Sequence, residues 1–410
     1  MRKILCSLIN PVSATQADFL PQQMITLNEG KIHTIEPFDV AKHHDYEDYS
    51  DCIALPGFID LHVHLSQYRM RGLYEPSLLP WLKNQVFPEE ARSADEVYAY
   101  DLSQQFFTAL SRAGTTTALI YTAPFKQACK IAFEVAAEMG IRAKIGMTMM
   151  DQNAPDDLLQ NTVQALDDSF ALFAAWQGKN PLLDYIFTPR FAPTCSMDLM
   201  NEVGVFAAKH NAWIQTHLSE NNDELAWVQE LFGFDSYTEV YEHAGLIGQH
   251  SILGHAIHLQ DRELAILNAN KAKIAHCPDS NFYLKSGEFP LQRVENAGIE
   301  YGLGSDVGAG TSLNMLYHAK MMNFRQSNLP VLPSAMLYRI TLGSAKLLEM
   351  DTRIGSLEVG KDADLVFLSP PEGYPIGENT LSQLCFFGEE FSVKETIVAG
   401  RTLYKAQTFL

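Results

Sequence analysis

Two histidines separated by one residue stand at the end of an apolar run near the start of the chain. His62 and His64 follow Leu55-Pro56-Gly57-Phe58-Ile59-Asp60-Leu61, and such a run is typical of a buried strand. In an extended strand, side chains at positions i and i+2 point to the same face, so the two imidazoles can converge on one ion. Taken alone, the pair is as consistent with ordinary polar histidines as with metal ligands. The rest of the chain must decide between these two interpretations.

Further polar groups stand at the ends of later apolar runs. His217 ends one of them, His255 follows Gly254 in another, and Asp306 follows Ser305 in a third. Any one of these histidines is more often a core or surface residue than a ligand. Four separate runs with such groups at their ends nevertheless favour a shared site. Histidine nitrogens and a carboxylate oxygen form a donor set that suits Zn²⁺ or Fe²⁺.

The elements that must position these groups are eight apolar segments, most of them followed by a helix-like segment. They cover residues 57–64, 115–122, 142–149, 184–191, 212–218, 251–258, 272–277 and 300–305. This alternation predicts an α/β fold of the (β/α)8 barrel type, in which the active site lies at the C-terminal ends of the strands. An open doubly wound sheet would share the alternation, but no GxGxxG fingerprint follows an early strand. We therefore favour the barrel.

Both ends of the chain have a different pattern, with short strand-like segments and tight turns. Residues 1–55 contain a hairpin pattern around Asn28-Glu29-Gly30, and residues 351–410 return to the same style. The simplest arrangement pairs the two ends in one small β-sandwich lobe. The predicted domains are thus an N-terminal part of the lobe (1–55), the barrel (56–350) and a C-terminal part of the lobe (351–410).

Composition narrows the class of protein. The 410 residues are 47% hydrophobic and 19% charged, with a formal net charge of −19, so we expect a soluble globular protein that binds neither nucleic acid nor an anionic membrane. No apolar run reaches the roughly 18 residues of a membrane span, and the apolar start is too short for a signal peptide. The six cysteines are scattered without a CxxC pair, which favours reduced thiols and a cytoplasmic location.

Several segments resemble the motifs of the amidohydrolase superfamily, and the resemblance runs from about residue 1 to residue 405. They are Pro56-Gly57-Phe58-Ile59-Asp60-Leu61-His62-Val63-His64, His217-Leu218-Ser219-Glu220, Gly254-His255 and Gly304-Ser305-Asp306. The resemblance implies that the metal ligands are His62, His64, His217 and Asp306. His255 would contact the metal-bound water or ligate weakly. The implied cofactor is one Zn²⁺ per subunit, with Fe²⁺ as the alternative.

A second set of motifs is similar to the guanine deaminase family within that superfamily. They are Ser66-Gln67-Tyr68, Leu78-Leu79-Pro80-Trp81-Leu82, Phe87-Pro88-Glu89-Glu90, the segment 188–196 and His276-Cys277-Pro278-Asp279-Ser280-Asn281. This likeness implies conversion of guanine to xanthine and ammonia, in purine salvage or catabolism, by a homodimer. Asp279 departs from the threonine expected in many relatives, which affects fine specificity. The alternative is another aminated heterocycle as substrate: 8-oxoguanine, an adenosine-type base, cytosine or an s-triazine.

The resemblance also implies roles in the reaction. The metal would lower the pKa of its bound water, Asp306 would take the proton, and the hydroxide would attack C2 of guanine. Glu220 would protonate ring nitrogen N3 and then the departing amine, which requires a raised carboxyl pKa. The alternative for Glu220 is a carboxylate that stabilises the start of a helix. His255 would hold the nucleophile and stabilise the oxyanion.

Substrate binding is expected from four residues beside the metal group, together with His217, Glu220 and Asp306 of that group. Gln67 and Arg190 are the expected purine readers, because an amide and a guanidinium fork match the polar edge of guanine. Phe191 and Trp81 would stack on the ring or wall the pocket. The alternatives are an intramolecular salt bridge for Arg190 and a core position for Trp81. The acidic segments around 89–101 and 220–242 are expected to be solvated helix faces.

Overall fold

The computed structural model describes residues 1–407. The chain begins with four strands, β1 (Arg2–Ser13), β2 (Gln16–Asn28), β3 (Lys31–Pro37) and β4 (Glu47–Pro56). Strand β2 is antiparallel to both β1 and β3, whereas β4 runs parallel to β1. The predicted turn between β2 and β3 is present: Glu29 and Gly30 have φ angles of 49° and 79°, as a tight two-residue hairpin loop requires.

Eight parallel strands follow and form the predicted barrel. They are β5 (Phe58–His64), β6 (Thr115–Thr122), β7 (Arg142–Met149), β8 (Leu183–Pro189), β9 (Trp213–Leu218), β10 (Ser251–His255), β11 (Lys273–His276) and β12 (Tyr301–Leu303). Each strand is hydrogen-bonded to the next in chain order. The barrel closes just beyond β12, where the Asp306 amide donates to the His62 carbonyl and the His64 amide donates to the Val307 carbonyl, both at 2.8 Å. The prediction of a (β/α)8 barrel is confirmed.

The sixth predicted strand is shorter than expected. Residues 251–258 were assigned to it, but β10 ends at His255. His255 and Ala256 have φ angles of 66° and 51°, so the backbone leaves the extended region at these two residues. His255, the last residue of the strand, lines the pocket described below.

The last three strands, β13 (Leu365–Ser369), β14 (Ser392–Val398) and β15 (Arg401–Lys405), return to the N-terminal strands. The resulting seven-stranded mixed sheet has the order β15-β14-β13-β4-β1-β2-β3, and β13 lies antiparallel to β4. The pairing of the two chain ends is therefore confirmed. By hydrogen bonding the strands form one continuous sheet, where we expected a sandwich. The domain boundaries 1–55, 56–350 and 351–410 stay predictions.

A buried ion pair joins this lobe to the barrel. Arg142 at the start of β7 donates from Nε to Asp364 and from Nη2 to Asp362, both at 3.0 Å. Both aspartates precede β13, so the ion pair ties the C-terminal segment to a barrel strand.

Helices surround the barrel and also cover its carboxyl end, where Leu78 and Trp81 line a pocket. They are α1 (Leu78–Trp81), α2 (Phe87–Ala91), α3 (Glu96–Arg112), α4 (Lys126–Met139), α5 (Thr162–Trp176), α6 (Met197–His210), α7 (Asn222–Phe232), α8 (Tyr237–His243), α9 (Asp261–Ala269), α10 (Pro278–Tyr283), α11 (Leu291–Asn296), α12 (Met315–Phe324), α13 (Pro333–Arg339), α14 (Leu342–Leu347) and α15 (Thr380–Phe387). Over residues 1–407, none of them has the length and apolarity needed to cross a membrane.

Candidate active site

Five of the predicted polar groups meet at the carboxyl end of the barrel. His64 Nε2 lies 3.2 Å from His62 Nε2, 3.2 Å from His217 Nε2 and 3.2 Å from Asp306 Oδ1. His62, His217, His255 and Asp306 each offer one ligand atom, and these atoms lie within 4.8 Å of one another. The structure thus brings together residues from four separate strand ends, as the sequence pattern predicted.

The protonation of these rings can be worked out from their other contacts. His217 Nδ1 lies 2.7 Å from the backbone carbonyl of Arg190. A carbonyl can only accept, so Nδ1 carries the proton and Nε2 turns its lone pair towards His64. His255 Nδ1 likewise lies 2.9 Å from Asn281 Oδ1, and among residues 1–407 its Nε2 has no hydrogen-bond partner. Lone pairs that face one another in a buried cluster fit a divalent cation between them, and carbonyl or amide partners on the far ring nitrogens are usual for ligating histidines.

The electrostatics of the cluster agree with this donor set. Burial lowers the pKa of His62 to about 4 and that of His217 well below its ordinary value, so both imidazoles are in the neutral form that binds metals. For Asp306 burial opposes ionisation, but hydrogen bonds to His62 and His64 outweigh it and hold the carboxyl pKa well below its usual range. His62 and His217 therefore present neutral nitrogens, and Asp306 presents a carboxylate. His255 differs: burial lowers its pKa, but the charges of Glu220 and Asp306 outweigh burial and raise the pKa above its ordinary value.

Two glycines make room for the His62 ring. A Cβ placed on Gly254 would lie 2.7 Å from His62 Cε1, and one placed on Gly304 would lie 2.6 Å from His62 Cβ. Both distances are far below ordinary contact, so each strand must carry a glycine where it passes this histidine. The Gly254-His255 and Gly304-Ser305-Asp306 motifs therefore contain glycine because any side chain there would collide with His62.

Sequence reasoning missed two residues that support the histidines. Asp60 is fully buried, and its Oδ1 accepts from the amides of His62 and Ser305 at 3.2 and 2.9 Å. Tyr121 on β6 packs its ring against His62 and His64, with centroids 4.7 and 4.6 Å apart. A charged residue within an apolar strand was a usable signal for Asp60. Nothing in the sequence marks Tyr121.

Glu220 is buried beside the cluster, and its Oε2 lies 3.4 Å from His255 Nε2. Ser286 donates to its other oxygen at 3.2 Å. Burial raises the Glu220 pKa to about 7, although the neighbouring His255 opposes the shift. A carboxyl with such a pKa can both give and take a proton near neutral pH.

The alternative interpretation of Glu220 as a helix-start carboxylate does not hold. The cap of α7 is Asn221, and the acid that completes the capping box is Glu224, whose Oε2 accepts from the amides of Glu220 and Asn221 at 2.9 and 3.2 Å. The helix-start task thus belongs to Glu224. Because Glu224 is fully buried, the expectation of a solvated acidic face is wrong at this position.

One pocket joins the histidine–aspartate cluster to the expected substrate residues. Its lining residues are His64, Gln67, Leu78, Trp81, Leu82, Arg190, Phe191, His217, Glu220, His255, Leu284, Asp306 and Ala309. Trp81 is 3% exposed and donates from Nε1 to the Leu73 carbonyl at 2.9 Å. It is therefore a packed aromatic that also forms a wall of the pocket, so the two interpretations of Trp81 coincide.

The intramolecular salt bridge that was the alternative role for Arg190 is also present, and its partner is Glu90. Arg190 Nη1 lies 2.5 Å from Glu90 Oε2, and both residues are buried, at 3% and 1% exposure. Arg190 still lines the pocket. Glu90 was expected on a solvated face, and that expectation is wrong. Its neighbour Glu89 is the same residue type, so composition and periodicity could not distinguish the two.

Asp279 does not line the pocket. Its carboxylate accepts from the amide and hydroxyl of Thr311, both at 2.7 Å, and from the Tyr317 hydroxyl at 3.0 Å. It thus holds the loop that follows Asp306. The same loop donates from the Gly308 amide to Gln67 Oε1 at 3.3 Å, so an effect of Asp279 on the substrate would be transmitted through this loop.

Comparison with known proteins agrees with the geometry. The profile of the amidohydrolase family matches residues 53–403. The guanine deaminase of Escherichia coli (strain K12) is 35% identical over 412 residues, which cover 96% of this chain and 93% of that protein. The solved structure of E. coli guanine deaminase covers 99% of this chain and 100% of its own, with a TM-score of 0.95 and 33% identity. Guanine deaminase from C. acetobutylicum, solved with guanine bound in its active site, gives a TM-score of 0.91 at 29% identity, with 98% and 100% coverage. The chain belongs to the amidohydrolase family and, within it, to the guanine deaminases.

Proposed function

We propose that this protein hydrolyses guanine to xanthine and ammonia. The observation that carries the proposal is the shared pocket, in which a histidine–aspartate metal group, the buried Glu220 and the polar pair Gln67 and Arg190 all face one space. A deaminase of this class needs a water-activating group, a proton shuttle and a polar reader of a flat ring, and the pocket contains candidates for all three. The likeness to guanine deaminases over nearly the whole chain supports guanine as the substrate.

The proposed metal ligands are His62, His64, His217 and Asp306, with His255 beside them. We prefer Zn²⁺ to Fe²⁺, because neutral imidazoles and one carboxylate are the usual donors of catalytic zinc. When bound, the cation supplies Lewis-acid activation of water at neutral pH. The unprotonated Nε2 of His217 and the ionised Asp306 support this assignment.

The protein's own groups would move the protons. Asp306 is the proposed acceptor of the proton that water loses as its oxygen bonds to C2 of guanine. Glu220, with a pKa of about 7, would protonate ring nitrogen N3, take the proton of the new hydroxyl on C2 as the C2 carbonyl forms, and pass it to the amine, which leaves as ammonia when the C2–N bond breaks. The proton held by Asp306 would then return to Glu220, which restores both carboxyls. His255 lies between these two carboxylates, 3.4 Å from Glu220 and 3.8 Å from Asp306. From there it would hold the nucleophile and stabilise the oxyanion.

Binding of guanine would rest on Gln67 and Arg190, with Trp81 and Phe191 as the apolar walls. Guanidinium N–H groups match the carbonyl and ring-nitrogen acceptors of guanine, and an amide both donates and accepts. Burial of these polar groups among aromatic residues makes them selective, because a ligand without matching acceptors would leave them unpaired.

A purine panel tests the proposal. Metal-loaded protein is mixed with guanine, 8-oxoguanine, adenine, adenosine, cytosine and an amino-s-triazine, and the reaction is followed by ultraviolet absorbance together with ammonia release. We expect rapid turnover of guanine alone. Turnover of a different heterocycle with guanine inert would replace the substrate and leave the reaction class intact, whereas no ammonia from any of them would contradict deamination.

We also propose that the protein is a cytoplasmic homodimer that acts in purine salvage or catabolism. The cytoplasmic location is supported by its six cysteines, which are all free and buried. The dimer rests on resemblance to the family. Light scattering of the purified protein would decide between a monomer near 45.9 kDa and a species of twice that mass.

A further inference from the structure

We propose that Glu90 is a positioning residue that fixes both purine readers and makes the purine subsite electrically neutral. The inference rests on the proposed function, because it assigns Gln67 and Arg190 to the substrate. Glu90 itself does not line the pocket. It acts through the two side chains that do.

The carboxylate of Glu90 is saturated by three donors. Its Oε1 accepts from Gln67 Nε2 at 2.9 Å and from Ser66 Oγ at 3.2 Å, and its Oε2 accepts from Arg190 Nη1 at 2.5 Å. The residue is 1% exposed. Charge-assisted hydrogen bonds in such a dry environment are stronger than neutral ones. The Glu90 carboxylate therefore holds the side chains of Ser66, Gln67 and Arg190 in place.

The contact with Glu90 decides which way the Gln67 amide points. A carboxylate accepts, so the NH₂ group of Gln67 must face Glu90, and its Oε1 then accepts from the Gly308 amide at 3.3 Å. Without Glu90 one of these two restraints is lost, and the amide is held less firmly in the donor and acceptor pattern that it presents to the purine.

The contact with Arg190 decides the charge of the subsite. A buried guanidinium without a counter-ion is costly and attracts anions. Paired with Glu90, Arg190 keeps free N–H donors while the pair has no net charge. Such a subsite suits a neutral base such as guanine and disfavours purines that are anionic at neutral pH, for example urate.

The short helix α2 explains how the chain delivers this anchor. Phe87 and Glu90 are three residues apart and therefore share one face of the helix. Phe87 lies under the guanidinium of Arg190, with 5.3 Å between Cζ and the ring centroid, while Glu90 accepts from Nη1 of the same guanidinium. Glu89 points elsewhere and bonds to Tyr98 and Arg92.

The substitution Glu90→Gln removes the charge at nearly constant shape, and Glu89→Gln is the matched control one residue away. For Glu90→Gln, we expect KM for guanine to rise by a factor of about 10 to 100, the size of effect seen when residues that orient metal ligands by hydrogen bonds are mutated. We expect a much smaller change in kcat. We expect the ratio of urate affinity to guanine affinity to rise at least tenfold. Metal content should match that of the parent protein. Glu89→Gln should leave KM and the affinity ratio unchanged.

Direct binding of urate and guanine, measured by calorimetry, separates this inference from the proposed function. If the parent protein does not deaminate guanine, the function fails, and the affinity ratio still tests Glu90. If Glu90→Gln behaves like Glu89→Gln in both KM and the ratio, the inference is overturned.

Should Glu90→Gln fail to fold, Glu90→Asp provides the test. It keeps the charge but shortens the reach, so KM for guanine should rise while the affinity ratio stays at the parent value. A Glu90→Asp variant identical to the parent in KM would also overturn the inference.

Discussion

Replacement of Gly254 by alanine should damage the proposed metal site although it substitutes none of the proposed ligands. The added Cβ would lie 2.7 Å from His62 Cε1 and 3.0 Å from His62 Nδ1. The His62 side chain has little freedom to shift, because the Gly304 backbone packs so closely against its Cβ that no further carbon fits between them. The backbone of His62 is also held, since its amide donates to Asp60 and its carbonyl accepts from Asp306.

The size of the effect follows from these distances. The imidazole must move by about 0.7 Å to restore ordinary contact in a close-packed interior, whereas ligand distances in metal sites are defined to within about 0.2 Å. Overpacking in a rigid region costs about 1–3 kcal/mol. For metal affinity we expect a loss of about 10- to 100-fold, as when supporting groups of other sites are altered.

The assay combines chelator competition for the metal with thermal unfolding of the metal-loaded and metal-free protein. Gly248→Ala is the matched control, because the nearest atom to its new Cβ would be Ser251 Oγ at 4.0 Å. Gly254→Ala should lose metal affinity and activity together, and Gly248→Ala should lose neither. Equal metal affinity in the two variants would refute the steric account of the Gly254-His255 motif.

Three further predictions concern the proton shuttle, the metal and the loop that Asp279 holds. Glu220→Gln should keep the metal content and lower kcat by about 10²- to 10⁴-fold; loss of metal measured by atomic absorption would contradict its role as a shuttle. Removal of the metal by a chelator should abolish turnover and lower the thermal midpoint, because the ligand lone pairs then face one another, and Zn²⁺ should restore both; an unchanged midpoint would argue against the ligand assignment. Asp279→Ala should cost about 1.5–3 kcal/mol in urea unfolding, since it removes the hydrogen bonds that a buried carboxylate accepts from Thr311 and Tyr317. It should also weaken guanine binding more than Tyr317→Phe does. Unchanged stability would remove the loop-holding role.

Much of the fold was predictable because it follows from repeated local patterns. The predicted bounds of segments 115–122 and 142–149 are those of β6 and β7. Each segment is a short run rich in apolar and threonine residues that closely follows a glycine, and it lies between helical segments. Boundaries failed where polar site residues bend the chain. The left-handed φ of His255 ends β10 early. Histidine is enriched in that conformation but still adopts it uncommonly, so the sequence does not fix this boundary.

The candidate site was predictable to the extent that its groups stand at strand ends. Parallel strands bring their carboxyl ends to one rim, so the strand pattern predicts that His62, His64, His217, His255 and Asp306 meet. The choice of ligands among them came from the family resemblance. The supporting residues lie outside that rule. Glu90 reaches Arg190 across 100 positions of sequence, and its role depends on the rotation of a five-residue helix. Neither quantity is encoded in a local pattern.

Arg190 shows why the metal group and the purine subsite cannot be treated as separate parts. Its carbonyl accepts from the amide and from Nδ1 of His217 at 3.1 and 2.7 Å, which sets the tautomer of a proposed ligand. Its side chain, anchored by Glu90, faces the pocket. Any shift of this residue that accommodates a different base must therefore also move the hydrogen bonds that orient His217. A change of substrate within this fold should accordingly be easier at Gln67 or Trp81, which do not hydrogen-bond to a proposed ligand, than at Arg190.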